Sequence, residues 1–251
     1  DLSSEFKESG FKPFRGNTVR GIKVDGISSK PNSWYNELVE YASSIGMPGI
    51  GYITVQDDMS FKGPIDKFLT DKERTSLIDK AQLTPGSVLF FIADKKEKVA
   101  SKFAGMIRTE LGKKLDLIDP NKFEFYIIND FPMFEYNEEE GKYDFCHNPF
   151  SMPQGGITAL MNKEKDEILA YQYDFVCNGN EMASGAVRNH DLDCLEKAFE
   201  MVGYSKEVVK ERFQSLYNAF QYGAPPHAGM APGIDRILML LLEEENLREV
   251  Q

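Results

Sequence analysis

Hydrophobic and polar positions along the 251 residues sort into short apolar runs and longer amphipathic stretches, with no internal repeat and no low-complexity tract. In the first half, GIGYITVQ (49–56) and SVLFFIAD (87–94) are apolar runs bounded by Gly, Pro and Asp, which predict buried strands. Helical patterns lie between and after them. NSWYNELVEYASSIG (32–46) closes on a glycine, and EKVASKFAGMIRTELGKKL (97–115) sets Val99, Phe103, Ile107 and Leu111 on one stripe at every fourth position. Residues 1–120 are thus expected to form a small mixed α/β domain.

Residues 121–251 carry a different order. The first eight residues of KFEFYIINDFPMFEY (122–136) predict a strand running into a proline turn. ILAYQYDFVC (168–177) then meets the turn NGN (178–180) and returns as EMASGAVRNH (181–190), a hairpin in which glycine supplies the backbone freedom. Two helices are expected next. LDCLEKAFEMVG (192–203) ends at Gly203, and SKEVVKERFQSLYNAFQYG (205–223) starts at the N-cap candidate Ser205 and stops at Gly223. A Gly/Pro-rich connection, GAPPHAGMAPG (223–233), leads into a last helix, IDRILMLLLEEE. Strands followed by packed helices predict an α+β fold, an antiparallel sheet with helices on one side.

Composition adds boundaries. No apolar run exceeds six residues, the length of ILMLLL (237–242), far short of the roughly 20 residues a spanning helix needs, so no membrane span is expected. The chain opens on Asp1 without the build of a signal peptide, which reads as a cut. Cys146, Cys177 and Cys194 are irregularly spaced, against both a disulfide framework and a cysteine zinc site, and a reducing cytoplasm is the expected home. Net charge is −11 but unevenly held: residues 1–120 carry 18 Lys and Arg against 17 Asp and Glu, leaving 11 against 23 in the remainder. So acidic a second half excludes a broad phosphate-tracking face; any nucleic-acid contact there must be local.

Candidate chemistry gathers in NGNEMASGAVRNHD (178–191). Arg188 follows Ala183, Ser184, Gly185 and Ala186, residues that leave room for a bound molecule, and a guanidinium there suits a carboxylate gripped by two parallel hydrogen bonds. A structural salt bridge explains the same residue equally well. With Asn178 and Gly179 as the turn tip, Cys177 faces Asn180, Val176 faces Glu181 and Asp174 faces Ala183, so Asp174 and Glu181 share a face. Two neighbouring carboxylates suit a Mg²⁺ that also takes substrate phosphates; two separately solvated acids are the plainer alternative. A strict pleat sends Arg188 to the other face, so both ends reach one pocket only through a bulge, expected at Gly185. In GMAPGIDRILMLLL (229–242), glycines precede a helix with Asp235 and Arg236 in its first turn, a place for phosphate or a base, though Arg236 could equally pair with a nearby acid. His147 lies in a Pro/Gly-punctuated loop, and three scattered histidines make no metal site.

Taken in order, these stretches resemble the bacterial-type aspartyl-tRNA synthetases, class II aminoacyl-tRNA synthetases, over essentially the whole chain. FKPFRG, FKGPIDKFLT and GSVLFFIADKKEKVASKFAGMIRTELGKKLDLID resemble the insertion domain shared with a tRNA amidotransferase family, giving residues 1–120. DFPMFEY, HNPFSMP, YDFVCNGNE, GAVRNHD and YGAPPHAGMAPGIDRILMLL resemble the second half of the catalytic domain through its third motif, residues 121–251. The resemblance implies that Arg188 holds the aspartate side chain, that Asp174 and Glu181 hold ATP and its Mg²⁺, that Gly233, Ile234, Asp235 and Arg236 lie against ATP, and that His147 closes over the amino acid. Two positions depart from the pattern: Asn148 stands where many members have a second histidine, and ASGA stands in place of a glycine-rich run.

The implied function is aspartate–tRNA ligation: ATP and L-aspartate give aspartyl-adenylate, and the aspartyl group passes to tRNA-Asp, with tRNA-Asn left open. A homodimer is implied for the full-length enzyme. The family's anticodon-binding domain and first two motifs have no counterpart here, so the chain is expected to be a fragment, inactive by itself. The alternative is a non-catalytic tRNA- or protein-binding module derived from such an enzyme.

Overall fold

The computed structural model describes residues 1–250, and the chain divides into two compact units, Asp1–Pro120 and Asn121–Gln251. The architecture is mixed α and β with antiparallel sheets, as the sequence predicts.

In the first unit β1 (Thr18–Val24), β2 (Gly51–Val55), β3 (Phe61–Lys62) and β4 (Val88–Asp94) form one antiparallel sheet in the order β1-β4-β2-β3. Interior β4 is the unbroken run VLFFI because both of its faces are buried. Leu89 and Phe91 pack with Phe6, Phe14 and Leu77 in one core; Val88, Phe90 and Ile92 pack with Leu38, Ala42 and Ile107 in another. Burying each of the larger of these side chains contributes about 1.5–3 kcal/mol. The second core is closed by α1 (Asn32–Ser44) and α3 (Glu97–Lys114); in it Tyr35 stacks on Tyr52 at 4.5 Å and donates its hydroxyl to Ile27 O at 2.8 Å. That burial pushes the Tyr35 phenol up to about 12. Against the first core lies α2 (Asp71–Ala81), started by a reciprocal cap between Thr70 and Glu73.

On the first unit's surface, Glu5 receives hydrogen bonds from Ser76, from Lys80 at 3.0 Å and from Ser4 at 2.9 Å. Led by Ser76, these lower its carboxyl from 4.5 to about 2. A carboxylate so lowered stabilises the fold fully above its ordinary value, and the contribution disappears as pH falls from about 4.5 toward 2. Glu5→Gln is expected to cost about 1–2 kcal/mol at neutral pH, discounted for solvent screening, and to flatten acid unfolding in that window. Urea melts of both forms at pH 7 and pH 3 check this: the stability difference should shrink at the lower pH.

The second unit is built on β5 (Phe125–Pro132), β8 (Leu169–Cys177), β9 (Asn180–Val187) and β10 (Ala228–Pro232), antiparallel in the order β10-β9-β8-β5. A separate hairpin pairs β6 (Phe134–Asn137) with β7 (Lys142–Phe145). Helices α4 (Gly156–Asn162) and α5 (Leu192–Met201) share a core with Met133, Phe134, Ile168 and Ala170. Three elements differ from expectation. The first strand runs later, Phe125 to Pro132, and continues through the proline, which pairs with Leu169 at the sheet edge. The single helix expected over 205–223 is two, α6 (Lys206–Arg212) and α7 (Gln214–Gln221), separated by Phe213, which leaves helical geometry as its ring packs on Phe150 and Phe199. The Gly/Pro-rich connection contains β10, and it leads into α8 (Ile234–Leu241).

Small residues in β9 and β10 have a structural reason. A Cβ at Gly185 would meet Gly229 O at 2.5 Å and the Tyr173 ring at 2.5 Å, so only glycine lets the two strands and that ring approach. Ala183 and Ala186 are buried as well; of the four small residues only Ser184 keeps substantial exposure. Much of the room expected in ASGA is therefore taken up by neighbouring chain. Among the described residues no helix is long and apolar enough to cross a membrane.

Candidate functional site

The hairpin that carries the candidate residues turns at Asn178 and Gly179, with φ of 48° and 82°, the paired left-handed geometry that Asn-Gly favours. Asn178 also ties the turn to β5: its Oδ1 accepts from Glu124 N at 2.9 Å and its Nδ2 donates to Lys122 O at 2.9 Å. Cys177 faces Asn180 and Val176 faces Glu181. Beyond that pair the register shifts. Phe175 faces Ala183 and Asp174 faces Ser184, leaving Met182 as the extra residue of a β-bulge.

This corrects two expectations. The bulge is at Met182 rather than Gly185, and Asp174 lies opposite Ser184 rather than Ala183. Its cause is tertiary. Gly233 N–H donates to Met182 O at 2.8 Å and Arg236 Nη1 donates to Glu181 O at 2.8 Å, so the N-terminal turn of α8 takes up the carbonyls that the bulge releases from the ladder. One extra residue between Glu181 and Arg188 changes the parity of the strand. Asp174, Val176, Glu181, Ser184, Ala186 and Arg188 consequently belong to one face, while Phe175, Cys177 and Ala183 turn to the other, where with Met182 and α8 they line an apolar cavity of about 480 Å³.

At one end of the first face, Arg236 Nη1 lies 3.6 Å from Glu181 Oε2, both side chains a little over 40% exposed. Screening at that exposure leaves the pair worth well under about 1 kcal/mol, so it costs little to rearrange around a ligand. Gly233 caps α8, with Ile234 and Asp235 in its first turn. Asp174 Oδ1 is buried and has no hydrogen-bond partner. At the other end Arg188 N–H donates to His227 O at 2.9 Å and its backbone is bridged to Ser151. Its guanidinium has no ion pair or hydrogen bond among the described residues, and with Phe150, Asn189, Leu216, Phe220 and His227 it lines a cavity of about 230 Å³. The salt-bridge explanation of Arg188 therefore finds no partner here.

His147 is exposed, its ring edge-on to Phe131 at 4.9 Å, and it borders a different cavity of about 350 Å³ with Asp144, Tyr204 and Arg212. Among the described residues no group of three or more His, Cys, Asp and Glu is gathered as for a metal, so a cation at the Asp174–Glu181 face would complete its shell from substrate and water. Burial pushes the Cys194 thiol up to about 11 and also raises that of Cys177, which leaves neither ionised at neutral pH. Gln172, buried on this same face, accepts a hydrogen bond at 3.3 Å from the buried loop residue Ser151, and neither is among the candidates the sequence offers. A polar residue inside an alternating strand was the only signal available.

The family model of class II tRNA synthetases (D, K and N) matches residues 17–251, and the chain belongs to that family. It is 48% identical over 255 residues to an aspartate–tRNA(Asp/Asn) ligase of Ehrlichia chaffeensis, and 48% identical over 259 residues to the one of Rickettsia akari. Each alignment takes in 100% of this chain and 43% of the relative, so the chain spans less than half the length of the curated relatives it matches. A solved aspartyl-tRNA synthetase from Entamoeba histolytica aligns with 73% of this chain and 30% of its own at 25% identity, with a TM-score of 0.39.

Proposed function

We propose that the protein activates L-aspartate with ATP to aspartyl-adenylate and passes the aspartyl group to the 3′ end of tRNA, as an aspartate–tRNA ligase. The observation that carries this reading is the single face of the β8–β9 hairpin, which joins an unpaired guanidinium at Arg188 to oxygen donors at Asp174 and Glu181, with Arg236 beside them. Two similar relatives bear the name aspartate–tRNA(Asp/Asn) ligase, so tRNA-Asp and tRNA-Asn are both acceptors in this proposal. Residues 1–120 are the insertion domain and 121–251 the C-terminal half of the catalytic domain. A homodimer in the cytoplasm completes the reading.

Arg188 holds the substrate's side-chain carboxylate in its fork, which leaves the α-carboxylate as the group that reacts. One of its oxygens attacks the α-phosphorus of ATP, and the bond to the bridging oxygen breaks, pyrophosphate taking the electron pair. A ribose hydroxyl of the tRNA end then attacks the carbonyl carbon of the adenylate, losing its proton as AMP leaves with the electrons of the C–O bond. Neither step needs a protein nucleophile, in keeping with the raised Cys177 and Cys194 thiols; the protein positions groups and offsets charge. Asp174 and Glu181 fit Mg²⁺: both offer hard oxygen, and the buried, unpartnered Oδ1 of Asp174 is a donor in want of a cation. Bound there, Mg²⁺ would neutralise phosphate charge. Gly233, Ile234, Asp235 and Arg236 face the nucleotide at a helix N-terminus, and His147, which borders a different cavity from Arg188, would close over the amino acid by movement of its loop.

Aspartate-dependent ATP–pyrophosphate exchange by the intact gene product, followed by charging of tRNA-Asp and tRNA-Asn transcripts, tests the proposal. Aspartate alone among aspartate, asparagine and lysine is expected to support exchange. Activation of lysine or asparagine in its place would overturn the assignment.

A further inference from the structure

We infer that Gln172 is a further specificity-determining residue, its side-chain amide donating to the substrate's side-chain carboxylate beside Arg188; the inference rests on the aspartate reading above. Gln172 stands two residues before Asp174 and opposite Ala186, which precedes Arg188 by two residues, so strand alternation puts it on the face that carries both. Only 5% of its surface is exposed, a degree of burial that glutamine tolerates when its polar atoms are used. Its Oε1 accepts from Ser151 Oγ at 3.3 Å, and Ser151 is itself wholly buried. The backbone of that same serine is bridged to Arg188, and the following residue, Met152, donates its N–H to Val187 O at 2.8 Å. The segment that fixes the glutamine head is thus the one clamped to the strand of the arginine.

With Oε1 taken by a hydroxyl, the amide nitrogen is the end left to act. No described residue accepts from it, and unlike Asp174 Oδ1 it is not sealed from solvent without a partner. A buried amide with a fixed acceptor and an open donor reads an acceptor. The side-chain carboxylate of aspartate offers lone pairs on both oxygens, enough for the fork of Arg188 and one further donor. Asparagine must turn its own NH₂ toward either Arg188 or Gln172, and that donor-to-donor contact leaves buried groups unpaired, the kind of mismatch that discriminates most strongly between isosteric substrates.

The test is Gln172→Glu, Gln172→Met and Ser151→Ala in the intact gene product, read by exchange with aspartate and with asparagine and by melting temperature. Gln172→Glu is expected to raise the KM for aspartate by about 100-fold and to lower the aspartate-over-asparagine ratio of kcat/KM by a similar factor, with the KM for ATP within about threefold. Gln172→Met, which removes the donor at nearly constant length, should raise the aspartate KM by about 10-fold. Ser151→Ala, which releases the amide, should raise it by about 3-fold, and this variant keeps the test decisive where substitution at 172 impairs folding. An unchanged aspartate KM in the variants that fold, or equal losses toward aspartate and ATP with a lowered melting temperature, makes the pair purely structural and overturns the inference. Wild-type protein without aspartate-dependent exchange overturns the ligase reading and the inference together, whereas an active wild type with indifferent variants overturns the inference alone.

Discussion

Arg188→Leu in the intact gene product is expected to lower kcat/KM for aspartate by about two to four decades while the protein stays folded. Removing one partner of a desolvated ion pair leaves the other charge stranded, at a cost of about 3–5 kcal/mol, and at about 1.4 kcal/mol per decade that loss appears in the transition-state free energy. Stability should hardly change, because the guanidinium has no ion pair to lose among the described residues and the backbone bond from Arg188 N–H to His227 O survives the substitution. Arg188→Lys keeps the charge but not the fork and should fall between wild type and leucine. ATP should be affected far less, since Arg236 and the acid pair lie at the other end of the face. The checks are the aspartate and ATP dependences of pyrophosphate exchange beside the melting temperature. A drop of several kcal/mol in stability with aspartate kinetics within about a factor of two would remove Arg188 from the specificity role.

Local chemistry made much of this fold legible. Asn-Gly fixed the hairpin tip, so the pairs Cys177–Asn180 and Val176–Glu181 could be written down from the sequence. Register failed one step later, at Met182, because the groups that stabilise the bulge, Gly233 N–H and Arg236, stand some fifty residues further along the chain. No local pattern encodes a partner at that separation. Helix α2 has a readable start in Thr70 and Glu73, but its polar composition leaves only a faint apolar stripe to mark the rest. β10 was hidden for the opposite reason: its Ala, Gly and Pro look like a connection, yet small residues are what Gly185 and the Tyr173 ring require of the neighbouring strand. Phe213 looked like one more apolar residue of a continuous helix, and the break came from the tertiary demand of its ring among Phe150 and Phe199. The site follows the same division. Residue types single out Arg188, Asp174, Glu181 and Arg236 as candidates, whereas Gln172 becomes a candidate only through its hydrogen bond with Ser151, which the chain brings to it from a loop.

Asp174→Asn is expected to separate function from stability in the opposite direction to an ordinary core substitution. Asp174 Oδ1 is buried without a partner, an arrangement that costs the apo fold free energy, because an unpaired carboxylate oxygen loses its water and gains nothing in exchange. The neutral amide costs less to bury, so the melting temperature should hold or rise by about 2–4 °C. Activity should collapse. Loss of one of the two carboxylates proposed to hold Mg²⁺ against the nucleotide is expected to lower kcat by about two to three decades and to raise the Mg²⁺ concentration for half-maximal exchange by about tenfold. Glu181→Gln should give a similar shift in Mg²⁺ dependence with little change in stability, since its partner Arg236 sits in solvent and still donates to the Glu181 carbonyl. Neither variant should move the KM for aspartate by more than about threefold, because the carboxylate grip is assigned to Arg188. Mg²⁺ titrations of exchange, run beside thermal melts, check both. Were Asp174 only a structural acid, its replacement would leave the Mg²⁺ dependence where it was, and with that outcome the two acids would no longer count as cation ligands.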